Sequence, residues 1–198
     1  MDLKLRNSGI NVCGLLIDKN WVKLKANLEV KKIDKDNFDL YFRIFKLEKE
    51  FEIWVKNKND LKYTLLKTIA ICAPSGNLGP KRKQDDYPVP EGFYEIATFN
   101  PNSSYRLAMK INYPNKSDQL KKTGADAGGD IMIHVNCVTI GCIPLENEPV
   151  EEVYVLATEA KNKKNAINIA IFPCRFNEKD NGFLAKNYTE EKIPFKKP

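Results

Sequence analysis

The stretch FDLYFRIFKLEKEFEIWVK, residues 38–56, decides the fold class. Apolar residues alternate with polar ones on both sides of a polar waist, LEKE. A period of two places alternate side chains on one face of a strand, so the pattern predicts a hairpin with strands near 38–46 and 51–56. Working outward, YTLLKTIAIC at 63–72, FYEIATFN at 93–100, SYRLAMKINY at 104–113, IMIHV at 131–135 and INIAIFP at 167–173 read as further strands. A turn is expected at NPNSS, between the second and third of these further strands. The residues 73–92 and 116–129 carry the glycines, prolines and charges of irregular exposed loops. One strong helix is expected in NEPVEEVYVLATEAKNKKN. Asn147 would cap it and Pro149 would sit in its first turn. Lys161, Lys163 and Lys164 would lie in the last turn, and Val150, Val153, Tyr154, Ala157 and Ala160 would be buried. Upstream, Asp18 would cap a helical stretch whose apolar face is Trp21, Leu24, Ala26 and Leu28. Many strands and few helices argue for a β-rich α+β domain over a doubly wound one. The expected divisions are a helical extension at 1–37, a domain at 38–176 and a loose polar tail at 177–198.

Composition narrows the function classes. A chain of 198 residues with 42% hydrophobic content can bury a core of its own. The net charge of +6 suits an anionic partner, but the lysines are scattered and no nucleic-acid-binding pattern accompanies them, so no nucleic acid is expected. No apolar run is long enough for a membrane span, and MDLKLRNSG does not read as a secretory leader. No glycine-rich phosphate loop follows a strand, so no nucleotide cofactor is expected. Five cysteines are too few for a disulfide scaffold, and the odd count leaves at least one thiol outside any internal pair.

The chemistry concentrates in IMIHVNCVTIGC, residues 131–142, which holds the chain's sole histidine, His134, together with Cys137 and Cys142. A cysteine nucleophile needs a base within reach. Gly141 before Cys142 suits a tight turn that exposes sulfur and leaves backbone N–H groups open to an oxyanion, and Thr139 would hold that turn. Two other readings stand beside this one. Cys137, Cys142 and His134 would be ordinary core residues, or His134, Cys137, Cys142 and Cys174 would form a structural Cys3His zinc site, although no C-x2-C knuckle is present.

The residues SGNLGPK at 75–81, VPEGFYEI at 89–96, FNPNSSYRL at 99–107, INYPNKSD at 111–118, GDIMIHVNCVTIGC at 129–142 and IFPCR at 171–175 follow in an order that resembles the L,D-transpeptidase (YkuD) catalytic domain, and more closely its YafK-like branch. The resemblance covers roughly residues 40–176. It implies an L,D-transpeptidase-like β-sandwich of mixed sheets whose active site lies in a cleft under a mobile loop. Cys142 would be the nucleophile and His134 its base, oriented by a backbone carbonyl from Val135 or a neighbour. Gly141 and Cys142 N–H groups would form the oxyanion hole, and Thr139 would support them. No metal and no cofactor are implied. The implied substrate is a peptidoglycan stem peptide, cleaved through a thioester and resolved by an amine or by water. A peptidoglycan-linked protein is an implied further partner, and the implied location is periplasmic or extracellular. Lys81, Arg106, Asn136 and Arg175 are the expected substrate contacts, while Cys13, Cys72 and Cys174 would be core thiols and Cys137 a buried bystander. Three positions depart from the wider family: Val135 where glycine is usual, Ile140 where a second histidine is usual, and Pro144 where arginine is common. Ile140 and Pro144 fit the YafK-like branch, which implies as an alternative a hydrolase detaching proteins or residues from peptidoglycan, and Val135 and Ile140 imply as a rival an inactive cell-wall binding domain.

Overall fold

A computed structural model describes residues 11–73, 75–103, 106–162 and 165–187, without the side chains of 11–19, 102, 106 and 187. The elements in chain order are α1 (Asn11–Val30), β1 (Phe38–Phe45), β2 (Glu50–Asn57), β3 (Thr64–Ala70), β4 (Gly92–Ser103), β5 (Arg106–Ile111), α2 (Lys116–Lys121), β6 (Met132–Val135), β7 (Ile143–Leu145), α3 (Asn147–Asn162), β8 (Asn168–Phe172) and α4 (Glu178–Asn187). The strands form one mixed sheet in the order β3-β2-β1-β8-β4-β5-β6-β7. The chain is therefore β-rich α+β with few helices, as its alternating patterns predict.

The opening stretch forms the β1–β2 hairpin, with Phe38 opposite Asn57 and Phe45 opposite Glu50. Phe38, Leu40, Phe42 and Ile44 of β1 and Phe51, Ile53 and Val55 of β2 are all fully buried. One face of the hairpin thus supplies much of the core, and at roughly 25 cal/mol per Å² of apolar burial it is a main source of stability. On the other side of β1, β8 runs parallel to it. The twelve residues of β4 belong to two halves of the sheet. Its first four pair with β8, and from Ile96 onward it pairs with β5. The register shifts between Ile96 and Thr98, a bulge of the kind that bends a strand and redirects its partners. Beyond β5 lie β6, antiparallel to it, and then β7, parallel to β6.

The α3 helix covers this face with the expected stripe of Val150, Val153, Tyr154, Ala157 and Ala160. Helix α1 packs on α3 and sends Leu24 and Leu28 into the same core. Glu152 of α3 ties the layers by pairing with Lys23 of α1 and Lys67 of β3.

Several expectations need correction. Asp18 lies inside α1, which begins at Asn11, and Ala26 is exposed. The loop expected at 116–129 contains α2, whose Asn115 and Asp118 satisfy each other's backbone N–H groups in a capping box. Part of the segment expected to be loose from 177 forms α4, where the Asn177 side chain accepts from the Asp180 N–H, and residues 188–198 lie outside the described residues. Where a turn is expected at NPNSS, β4 continues through Asn100 to Ser103, and residues 104 and 105 lie outside the described residues. The three-residue β7 was hidden by its brevity and by Pro144, which breaks the usual strand signal. Lys163 and Lys164 lie outside the described residues.

Candidate active site

The connection from β6 to β7 creates the site. Parallel neighbours ordinarily need a crossover of a dozen residues or more, yet residues 136–142 alone return the chain from the end of β6 to the start of β7. So short a return demands unusual backbone, and it is found at both ends: Asn136 has φ +75° and Gly141 has φ +133°. A Cβ on Gly141 would meet nothing closer than 3.5 Å, so it is this φ, outside the range of side-chain-bearing residues, that requires glycine. The Thr139 hydroxyl closes the turn. Its Oγ1 accepts from the Cys142 N–H at 2.7 Å and the Gly141 N–H at 3.2 Å, and it lies 3.0 Å from the Cys142 carbonyl, to which it donates. The two N–H groups expected to form an oxyanion hole are thus aimed together, with a hydroxyl oxygen already held between them.

Cys142 enters β7 beside Met132, whose N–H reaches its sulfur at 3.4 Å. The thiol lies 3.6 Å from the Asp130 carbonyl, to which it donates. Burial pushes this thiol above its ordinary range. The Asp130 charge adds to that, while the Met132 N–H and the Lys81 ammonium oppose it. His134 lies two residues beyond Met132 on β6, on the same face of the strand and about 7 Å farther along it. It is 3% exposed. Its Nδ1 is 2.5 Å from the Val135 carbonyl. A carbonyl only accepts, so Nδ1 donates in this bond and the ring is held with Nε2 as its other nitrogen. Val135 turns its own side chain into the core and so does not crowd the site.

A disulfide joins Cys72 to Cys137, with 5.4 Å between their Cα atoms. This overturns two expectations at once: Cys72 is not a core thiol, and Cys137 is neither buried nor a bystander. The bridge ties the 136–142 loop to the chain leaving β3, where the Cys72 N–H also donates to the Pro144 carbonyl at 3.2 Å. It also removes the zinc reading, because Cys137 is already bonded. Cys174 lies buried among Glu48, Asp180 and Glu91. Among the described residues no group of three or more His, Cys, Asp or Glu could hold a metal. Cys142 and Cys174 are free, and the side chain of Cys13 is outside the described set.

The expected substrate contacts fare unevenly. Arg175 is occupied: its guanidinium pairs with Glu50 and Glu52 and stacks over Phe45, and its N–H donates to Glu48. Lys81 is 4% exposed and donates to Asp86 at 2.5 Å and to the Lys83 carbonyl at 3.0 Å. Both are structural cations. Asn136 is exposed at the end of β6. Arg106 begins β5 opposite Ser103, and its side chain is outside the described set. Val138 and Ile140 are 71% and 66% exposed on the 136–142 loop.

Sequence reasoning missed the pocket beside Cys142. About 40 Å³ in volume, it is walled by Ile44, Ile71, Leu78, Val89 and Ile143, with Lys46 and Lys49 from the β1–β2 turn and Asn77 from the 73–92 loop. Lys46 is buried and donates to the Gly79 and Val89 carbonyls, each at 2.8 Å, and to Glu91 at 2.9 Å. No local pattern signals these contacts, since they join segments more than thirty residues apart.

A cysteine and a histidine carried by neighbouring strands at a glycine turn, on a mixed sheet, define a candidate cysteine acyl-transfer site. Residues 42–166 match the L,D-transpeptidase catalytic domain family called YkuD, and the chain belongs to that family. It is 34% identical over 142 residues to YafK of Escherichia coli (strain K12), a protein provisionally assigned as an L,D-transpeptidase, and equally to YafK of Escherichia coli O157:H7. These alignments cover 70% of this chain and 56% of each relative, so the chain spans about half the length of the curated relatives it matches. Its fold is similar to that of the helical cell shape determining protein Pgp2 from Campylobacter jejuni. The TM-score is 0.56 and the identity 21%, over 71% of this chain and 49% of that one.

Proposed function

We propose that the chain is a cysteine enzyme of the L,D-transpeptidase type, acting on peptidoglycan stem peptides through a thioester on Cys142. The observation that carries this reading is the placement of a free Cys142, on a turn held by Thr139 and Gly141, beside the strand bearing His134, whose Nδ1 is tied to the Val135 carbonyl. Membership of the YkuD family supports it.

In this mechanism His134 Nε2 takes the thiol proton, and the sulfur attacks the amide carbonyl between the third stem residue and the following D-residue. The developing oxyanion displaces the Thr139 hydroxyl from the Gly141 and Cys142 N–H groups, which are already aimed at one point. The C–N bond breaks, His134 returns its proton to the leaving amine, and the acyl group stays on sulfur. An amine or water then attacks the thioester, His134 takes a proton from it, and the thiol is released. The Cys72–Cys137 bridge suits an oxidising compartment, which supports a periplasmic or extracellular location.

The test is to incubate muropeptides bearing tetrapeptide stems with the wild-type chain, Cys142→Ala and His134→Ala. Loss of the terminal D-residue in the wild type alone is expected, with a tripeptide product marking water as acceptor and a new amide marking transfer. Identical products from wild type and Cys142→Ala would defeat the reading in favour of an inactive binding domain.

A further inference from the structure

We propose that Lys49 is a specificity-determining residue that anchors a carboxylate of the substrate peptide in the pocket beside Cys142; this rests on the stem-peptide reading above. Three lysines bear on Cys142: Lys46 and Lys49 line its pocket, and Lys81 acts on its thiol through its charge. An ammonium has three N–H donors. Those of Lys46 are all given away, to Gly79, Val89 and Glu91. Lys81 is buried against Asp86 and the Lys83 carbonyl. Lys49 differs from both: it is exposed, and its ammonium makes no hydrogen bond or ion pair among the described residues.

Its backbone, by contrast, is fixed. Lys49 has φ +57°, its N–H donates to the Lys46 carbonyl at 3.3 Å, and its carbonyl accepts from the Ile71 N–H at 2.8 Å. The side chain therefore starts from a rigid point on the pocket wall. Because Glu91 and Asp86 are matched by Lys46 and Lys81, Lys49 supplies the unbalanced charge at the pocket. Asn77 adds a side-chain amide that is likewise without a partner among the described residues, and the remaining walls are largely apolar. A volume of about 40 Å³ admits a group of methyl size. One open cation, one open amide and a small apolar recess fit a short peptide segment that carries a carboxylate next to a small side chain.

A stem tetrapeptide offers that carboxylate from two sources, its C-terminus and the side chain of its third residue. The experiment uses three tetrapeptides: one with both free, one amidated at the C-terminus and one amidated on the third residue. Binding is measured by calorimetry on the whole 198-residue chain carrying Cys142→Ala, with and without Lys49→Met, and turnover on the chain with Cys142 intact. Lys49→Met is expected to weaken binding of the free peptide about tenfold and raise KM with kcat little changed, and Lys49→Arg to recover most of the loss. One of the two amidations should cost the same tenfold when Lys49 is present and nothing further in the Lys49→Met variant, which identifies the carboxylate. Unchanged binding in Lys49→Met, or losses from variant and amidation that add, would overturn the proposal. Lys49-dependent binding without turnover would leave the proposal standing and sink the enzyme reading. Turnover indifferent to Lys49 would do the reverse, and absence of any peptide binding would defeat both.

Discussion

Cys142 is a thiol whose surroundings favour its neutral form, since burial outweighs the help from Met132 and Lys81. Such a group reacts as thiolate only as pH rises or as a base removes its proton. Iodoacetamide alkylation of Cys142, followed by peptide mapping, is therefore expected to accelerate up to and beyond the ordinary thiol range. A rate already at its plateau at neutral pH would show that the thiolate is preformed. Gly141 gives a second prediction at this scale. Gly141→Ala has room for its methyl but must adopt φ +133°, at a cost of about 1–3 kcal/mol. The expected outcome is at least a tenfold fall in turnover with a modest drop in melting temperature, measured side by side. The turn before Cys142, and with it the candidate pair of His134 and Cys142, were legible in HVNCVTIGC, because glycine and a hydroxyl residue carry local meaning. The fates of Lys81 and Arg175 were not, because their partners Asp86, Glu50 and Glu52 are acids that the sequence leaves equally free to face water.

Elements were legible in proportion to their length and period. The β1–β2 hairpin and α3 declare themselves through repeated burial, whereas α2 and α4 are short and polar. Each of the two nevertheless opens with Asn-x-x-Asp, in Asn115–Asp118 and Asn177–Asp180, a capping signal that outweighs their loop-like composition. The bridge between the β3 exit and the 136–142 loop joins cysteines 65 positions apart, a pairing that spacing alone does not reveal. Replacing both cysteines, as Cys72→Ser with Cys137→Ser, is expected to lower stability by about 2–4 kcal/mol, read by denaturant unfolding. Turnover should fall with it because the loop bearing Cys142 loses its tether. Glu152 gives an electrostatic prediction at the same scale. Burial raises its carboxyl, but Lys23 and Lys67 outweigh that and hold it below its ordinary range. A lowered folded-state value stabilises the fold above the ordinary carboxylate range and loses that contribution as pH falls through the lowered value. Glu152→Gln is thus expected to cost about 1–2 kcal/mol at neutral pH and to flatten the acid-side fall of melting temperature seen in the wild type.

At the scale of the whole molecule, one sheet carries two jobs. The half built from β3, β2, β1 and β8 supplies the hairpin and much of the core, and the half built from β5, β6 and β7 carries the candidate site, with the bent β4 shared between them. The β-rich class followed from alternation, but the single mixed sheet did not, because strand order depends on pairings between segments far apart in sequence. The pocket arises from the same long-range assembly: β1, the β1–β2 turn, the 73–92 loop and β7 meet only in the fold. The central claim is that this assembly makes Cys142 an acyl carrier. Intact-protein mass spectrometry after brief mixing with a stem tetrapeptide tests it most directly. The expected result is a mass increase equal to the peptide less its terminal D-residue, mapped to Cys142, labile to hydroxylamine and absent from Cys142→Ala. Turnover of the peptide with no adduct on Cys142, or an adduct that persists in Cys142→Ala, would contradict it.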